Sequence, residues 1–183
     1  MTERKTYEAW SFTPLSLSPE EVMSHTLDAE LESRIRSIIS AEAPIKDTLL
    51  KKRLLSSLSL KRCGSRLDEY LSSLISSMNL NTTEEDETVY HREPYGGYSF
   101  FRTAPESDRY SYQIPACEAE CAIMWVLENE KRMMYRSQLL SAFTKALLYE
   151  RKGAAISALF DAALRLALSE ERIKESGNHK FFL

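Results

Sequence analysis

Glycine is scarce in this chain, with five in 183 residues: Gly64, Gly96, Gly97, Gly153 and Gly177. None is spaced as a phosphate-cradling loop requires. Neither G-x-x-x-x-G-K-[ST] nor G-x-G-x-x-G occurs, so ATP hydrolysis and dinucleotide binding lack their usual apparatus. The three cysteines, Cys63, Cys117 and Cys121, form no even framework and no C-x-x-C pair, and no histidine stands beside them. That spacing points to ordinary thiols and to no metal site. Three histidines, His25, His91 and His179, lie far apart with no motif around any of them. No cofactor and no catalytic residue is expected on these grounds. Long apolar runs are missing as well. Nothing approaches the roughly 20 residues of a membrane span, and the start Met1-Thr2-Glu3-Arg4-Lys5 is not followed by the apolar segment of an export signal. The expected compartment is the cytoplasm, where the cysteines stay reduced.

What the chain does have is an internal repeat. Arg62-Cys63-Gly64 and Arg151-Lys152-Gly153 stand 89 residues apart (151 − 62). Behind each lies an apolar stripe at helical spacing: Leu67, Tyr70, Leu71, Leu74, Ile75 and Met78, then Ile156, Leu159, Phe160, Ala163, Leu164 and Ala167. Ahead of each, Ile35, Ile38 and Ile39 answer Ile123, Val126 and Leu127 at an offset of 88 (123 − 35), which needs a one-residue gap. Gly96 to Phe101 and Gly177 to Phe182 both set a turn glycine before an aromatic pair, as the second strand of a hairpin does.

The periodicity predicts helices over 27–41, 44–58 and 65–78, then strands near 89–92 and 98–102. The order repeats from Glu118, Met133, Ala154 and Arg172. Pro44 suits a first helical turn, and Gly64 is expected to take a left-handed conformation at the junction before the third helix. Three helices with a terminal two-stranded wing is the winged-helix arrangement. The expected fold is therefore mainly α with small β hairpins (α+β), a tandem of two winged-helix-like units at 27–105 and 106–183. Residues 1–26 precede them. Tyr7, Trp10 and Phe12 favour an arm lying on one unit over a linker from an upstream domain, and Ser18-Pro19-Glu20-Glu21 reads as a capped helix start.

Glu42-Ala43-Pro44-Ile45, Arg53 and Lys61-Arg62-Cys63-Gly64-Ser65-Arg66-Leu67 resemble the pattern E-G-P-I-H, R-R, R-A-G-S-R-I of domain-of-unknown-function family 3320. Lys46 stands where the family often has histidine, and Ala43 where it often has glycine. The resemblance implies the C-terminal domain of large bacterial proteins that join a superfamily 1 helicase-like ATPase to a nuclease resembling very-short-patch-repair endonucleases. It implies context, an accessory part of a DNA-processing system, and no mechanism.

The net charge of −3 hides an asymmetry. Between Lys46 and Arg66, seven basic residues face Asp47 alone, whereas Glu84 to Asp108 holds seven acidic residues against Arg92 and Arg102. In a helix-turn-helix the basic stretch is where backbone phosphates are met. Lys51, Lys52, Arg53, Lys61, Arg62, Ser65 and Arg66 are accordingly the candidate nucleic-acid contacts, DNA in the first place. The competing reading makes the same cations the wet face of an amphipathic helix. Asp68, Glu69 and the run Glu84 to Glu87 oppose phosphate, so binding without sequence specificity is the expectation. Off the apolar stripe, the third helix carries Arg66, Glu69, Ser73 and Ser77 in the first copy but Ala155, Ala158, Ala162 and Leu166 in the second. A helix apolar on both faces seeks cover on both. Those four residues are the candidate docking face for a protein partner, such as a helicase or nuclease, or for a second copy of the chain.

Overall fold

The computed structural model describes residues 1–103 and 109–183. The chain opens on strand β1 (Glu3–Thr6) and continues through α1 (Pro19–Val22), α2 (Asp28–Glu42), β2 (Ile45–Lys46), α3 (Asp47–Ser57), α4 (Ser65–Ser77), β3 (Asn81–Glu84), β4 (Thr88–His91) and β5 (Phe100–Thr103). A 3-10 turn (Ser111–Gln113) leads into α5 (Ala116–Glu130), β6 (Met134–Tyr135), α6 (Arg136–Ala146), α7 (Ala154–Ser169), β7 (Lys174–Glu175) and β8 (Lys180–Phe182). The fold is mixed α and β, with helices, two small antiparallel sheets and one parallel strand pair, and divides into two compact units. One is Glu8–Tyr95. The other joins Met1–Tyr7 to Gly96–Leu183.

In the unit Glu8–Tyr95 the predicted stripes make the core: Leu31, Ile35, Ile38 and Ile39 of α2 pack with Leu49, Leu50 and Leu54 of α3 and Leu67, Leu71, Leu74 and Ile75 of α4. Ser18 caps α1 as expected, its Oγ accepting from the Glu21 N–H while Glu21 accepts from the Ser18 N–H. Three strands close the unit in the order β2-β4-β3, all antiparallel.

The unit containing Gly96–Leu183 has the same order of parts: helix α5, strand β6, helices α6 and α7, then hairpin β7–β8, with sheet order β6-β8-β7. Its core gathers Ile123, Val126 and Leu127 of α5, Leu139 and Phe143 of α6, and Ile156, Phe160, Ala163 and Leu164 of α7. The recurrence reaches single hydrogen bonds. After α3 the Leu60 N–H donates to Leu55 O, and after α6 the Tyr149 N–H donates to Thr144 O, each at 89 residues' offset. The residues before these donors, Ser59 and Leu148, both take left-handed φ, 59° and 64°.

Four expectations are corrected. The strand at 98–102 does not pair with the one at 89–92. β4 instead turns back on β3, whose Thr82 and Thr83 sit opposite Tyr90 and Val89, and the acidic run supplies the tight turn between them. β5 pairs in parallel with β1, Thr6 opposite Thr103, so the segment 1–26 is divided between the two units. Gly64 is the N-cap of α4 with φ −75° and ψ 161°, extended backbone that needs no glycine. Pro44 stands ahead of α3, because residues 45 and 46 extend to pair with β4 before the helix begins at Asp47. The expected boundary between residues 105 and 106 lies outside the described residues.

Candidate nucleic-acid interface

Helix α4 begins at Gly64 without a side-chain cap, and the first intrahelical donor is the Asp68 N–H, bonded to Gly64 O at 3.0 Å. The amides of residues 65–67 thus have no partner within the helix, and the positive end of its dipole points out of the unit. Lys61, Arg62, Ser65 and Arg66 surround this end and are all exposed, as is Lys52 on α3. Lys61, Arg62 and Arg66 enter no ion pair among the described residues.

The remaining cations of the basic stretch are spent inside the unit. Lys51 reaches from α3 to α4, its Nζ 2.9 Å from Asp68 Oδ1, 2.8 Å from Ser72 Oγ and 3.1 Å from Asp47 Oδ2. Burial works against its charge, but the bonds and charges of Asp68 and Asp47 prevail and raise its pKa. Arg53 Nε lies 3.1 Å from both carboxylate oxygens of Glu42, a residue with no exposed surface that also accepts from the Trp10 N–H at 2.7 Å. Lys46 is buried and holds both oxygens of Asp86 at 2.6 and 2.8 Å. The expected seven-residue patch, Lys51, Lys52, Arg53, Lys61, Arg62, Ser65 and Arg66, is therefore split. Lys51 and Arg53 are internal struts, and the other five face solvent.

Three of the acidic residues expected to repel phosphate are engaged within the unit. Asp68 is matched by Lys51 and Asp86 by Lys46. Glu87 caps α3, accepting from the Thr48 N–H at 2.8 Å and its hydroxyl at 3.0 Å. Tyr90 donates to Asp47 at 2.9 Å, and burial together with that carboxylate pushes its phenol well above the usual range. Glu69 alone of the α4 acids stands exposed without an ion pair among the described residues. Cys63, beside Arg62, is exposed, and partial burial of its sulfur with the charge of Asp68 raises its pKa, so it stays a neutral thiol.

The equivalent helix of the other unit is chemically different. Ala154 and Ala155 stand where α4 has Ser65 and Arg66. Of the expected docking face, Ala155 and Ala158 are exposed and Ala162 and Leu166 half-buried. α7 packs on α5, α6 and the 3-10 turn. Tyr110 precedes that turn and Tyr112 lies within it, both exposed and stacked with ring centres 5.5 Å apart and planes 7° from parallel.

One polar constellation escaped the sequence reading. Glu118 on α5 has no exposed surface and is held by Arg109 at 2.7 and 2.9 Å and by Arg102 at 2.7 and 3.1 Å. Both guanidiniums lie over the ring of Tyr7, 5.3 Å for Arg102 and 4.8 Å for Arg109. Burial would raise the Glu118 pKa, yet the two cations outweigh it and hold the carboxyl at about 2. The signal available in the sequence was a pair of glutamates, Glu118 and Glu120, in an otherwise small and apolar helix, which demands buried partners. Cys117 and Cys121 share this helix, and burial pushes the Cys121 thiol up to about 12, leaving it inert.

No helix among the described residues is long and apolar enough to cross a membrane. Residues 20–69 match the model of a family described as Protein of unknown function (DUF3320). The match spans α1 to the first turn of α4 and takes in Glu42, Arg53 and every residue of the basic patch. No curated protein and no solved structure matches the chain.

Proposed function

We propose that the chain is a non-catalytic accessory module whose units are both winged helices, and that α4 and the loop before it contact nucleic-acid backbone. Lys52, Lys61, Arg62, Ser65 and Arg66 are the contact residues. The observation that carries this reading is the sorting of charge in the basic stretch. Lys61, Arg62 and Arg66, which enter no ion pair among the described residues, gather at a helix N-terminus without a side-chain cap, where backbone amides and dipole favour a phosphate. The order helix, strand, helix, helix, hairpin supports the winged-helix assignment. The resemblance to family 3320 supports a bacterial helicase- or nuclease-associated setting in the cytoplasm. Contacts of this kind position a protein on a duplex without reading bases.

The test is fluorescence anisotropy of labelled single-stranded, duplex and forked DNA at low and near-physiological salt. The triple variant Lys61→Glu, Arg62→Glu, Arg66→Glu is measured beside the parent. Affinity should fall steeply with salt in the parent, by roughly tenfold or more for three or four phosphates over a fourfold salt increase. It should vanish in the variant without loss of the thermal midpoint. Retained affinity in the folded variant would sink the patch.

A second reading rests on α7. Exposed Ala155 and Ala158, with half-buried Ala162 and Leu166 and the stacked Tyr110 and Tyr112 beside the helix's own neighbour, form the kind of surface a protein partner or second copy covers. Ala158→Glu with Ala162→Glu should then lower the sedimentation mass or abolish partner capture. An unchanged mass and unchanged capture in a folded variant would remove this reading.

A further inference from the structure

At the far end of α4 from its basic N-terminus, the unit Glu8–Tyr95 has a cavity of about 210 Å³. Ile39, Leu80 and the buried His91 contribute to its lining, together with Arg36 and Ser40 of α2, Asn79 and Asn81 after α4, and Arg92 at the exit of β4. Every charged side chain lining it is cationic. Arg92 donates one guanidinium N–H to Ser40 O and so satisfies the C-terminal end of α2. Arg36 is exposed and makes no ion pair among the described residues. Asn79, in the left-handed region at φ 50°, leaves its side-chain amide without a described bond. Asn81 donates to Arg92 O at 3.5 Å, and buried His91 pairs with the Thr83 hydroxyl at 2.8 Å. These bonds fix the rim and leave its cationic face unmatched.

We propose that this cavity is a phosphate-binding pocket, with Arg36 as its principal ligand and Arg92 and Asn79 completing the rim. Donors supplied to one cavity by three separate segments suit a tetrahedral oxyanion, which accepts from several directions, better than a planar carboxylate, which a single guanidinium satisfies in bidentate fashion. The size agrees. The cavity is smaller than the roughly 300–1,000 Å³ of pockets that enclose whole drug-sized ligands, so it takes a phosphate and leaves the rest of any larger molecule outside. The phosphate is supplied either free or as the terminal group of a nucleic-acid strand. The inference does not rest on the proposed role of the α4 N-terminus, because no residue is shared between the two.

The experiment is an amide-resolved NMR titration of the full chain with inorganic phosphate, at constant ionic strength and against an acetate control. Saturable shifts confined to residues 36–40, 79–81 and 91–92 are expected, with acetate inert. Arg36→Ala, a substitution an exposed helical position tolerates, should weaken binding about tenfold or more, the worth of a charge-assisted hydrogen bond. A short oligonucleotide with and without a 5′-phosphate distinguishes the source. Shifts that require the 5′-phosphate support a strand terminus, and shifts with inorganic phosphate alone support the free ion. Phosphate shifts that match acetate, or an Arg36→Ala variant that titrates like the parent, would overturn the proposal.

Discussion

Glu118 shows most directly how one residue sets the solution behaviour of this protein. Its carboxyl is held at about 2, below an ordinary value near 4.5, so the folded form binds its proton less readily than the unfolded chain. The stability this confers is complete above about pH 4.5 and is lost as pH falls through that value toward 2. Acid unfolding monitored at Trp125, on the same helix, should therefore begin in that window. In Glu118→Gln the acid-dependent slope should flatten. At neutral pH the same variant should lose about 3–5 kcal/mol, because two buried guanidiniums are left without their counter-charge. A variant whose neutral-pH stability equalled the parent's would show that the network contributes nothing. Glu42 holds the corresponding lesson for the basic stretch. Arg53 looked like a phosphate ligand because sequence displays charge, whereas its carboxylate partner is set by how α2 and α3 meet. The resemblance to family 3320 runs through both residues, and their visible work is structural.

The helices were legible because their stripes are long and regular; α2, α4 and α7 stand within a residue or so of where periodicity sets them. Short strands were less so. β2 and β6 are two residues each, too short for any alternation to register, and the hairpin β3–β4 begins with Asn-Thr-Thr, whose polar character hides a strand from a reading based on apolar content. The aromatic Phe100-Phe101 drew the second strand to the wrong place. Scarcity of glycine has its own effect on these elements. Where a helix would commonly end on a left-handed glycine, this chain uses Ser59 after α3 and Leu148 after α6. A side chain costs roughly 1–2 kcal/mol in that conformation, partly offset by glycine's entropy when unfolded. Leu148→Gly should accordingly stabilise its unit by about 0.5–1 kcal/mol in thermal denaturation. Leu148→Ala, which removes the same exposed leucine but keeps a Cβ, should give no gain. Equal effects of the two would refute the conformational account.

For the whole molecule, the division into two units makes a point that neither residue nor helix reveals. Tyr7 is close to the start of the chain, yet its ring is buried against Arg102 and Arg109 and belongs to the unit of residues 96–183. Tyr7→Ala should lower hydrogen-exchange protection in α5 and α7 by roughly 2–4 kcal/mol, as loss of a buried aromatic does, and leave α2 and α4 unchanged. A uniform loss across both units would contradict this division. No sequence pattern pairs residues so far apart, which is why the arm was legible as an arm but its partner was not.

The same pairing imposes a timetable on synthesis. β1 leaves the ribosome ahead of its partner strand, which begins at Phe100 and follows about 5–20 s later at ordinary elongation rates. In that interval the contiguous segment Glu8–Tyr95 has everything it needs to fold, while β1 waits with its backbone unpaired. A waiting strand is a template for association with other nascent chains. The sequence of this one, Glu-Arg-Lys-Thr with every side chain exposed, has the charge that discourages such pairing until the proper edge arrives.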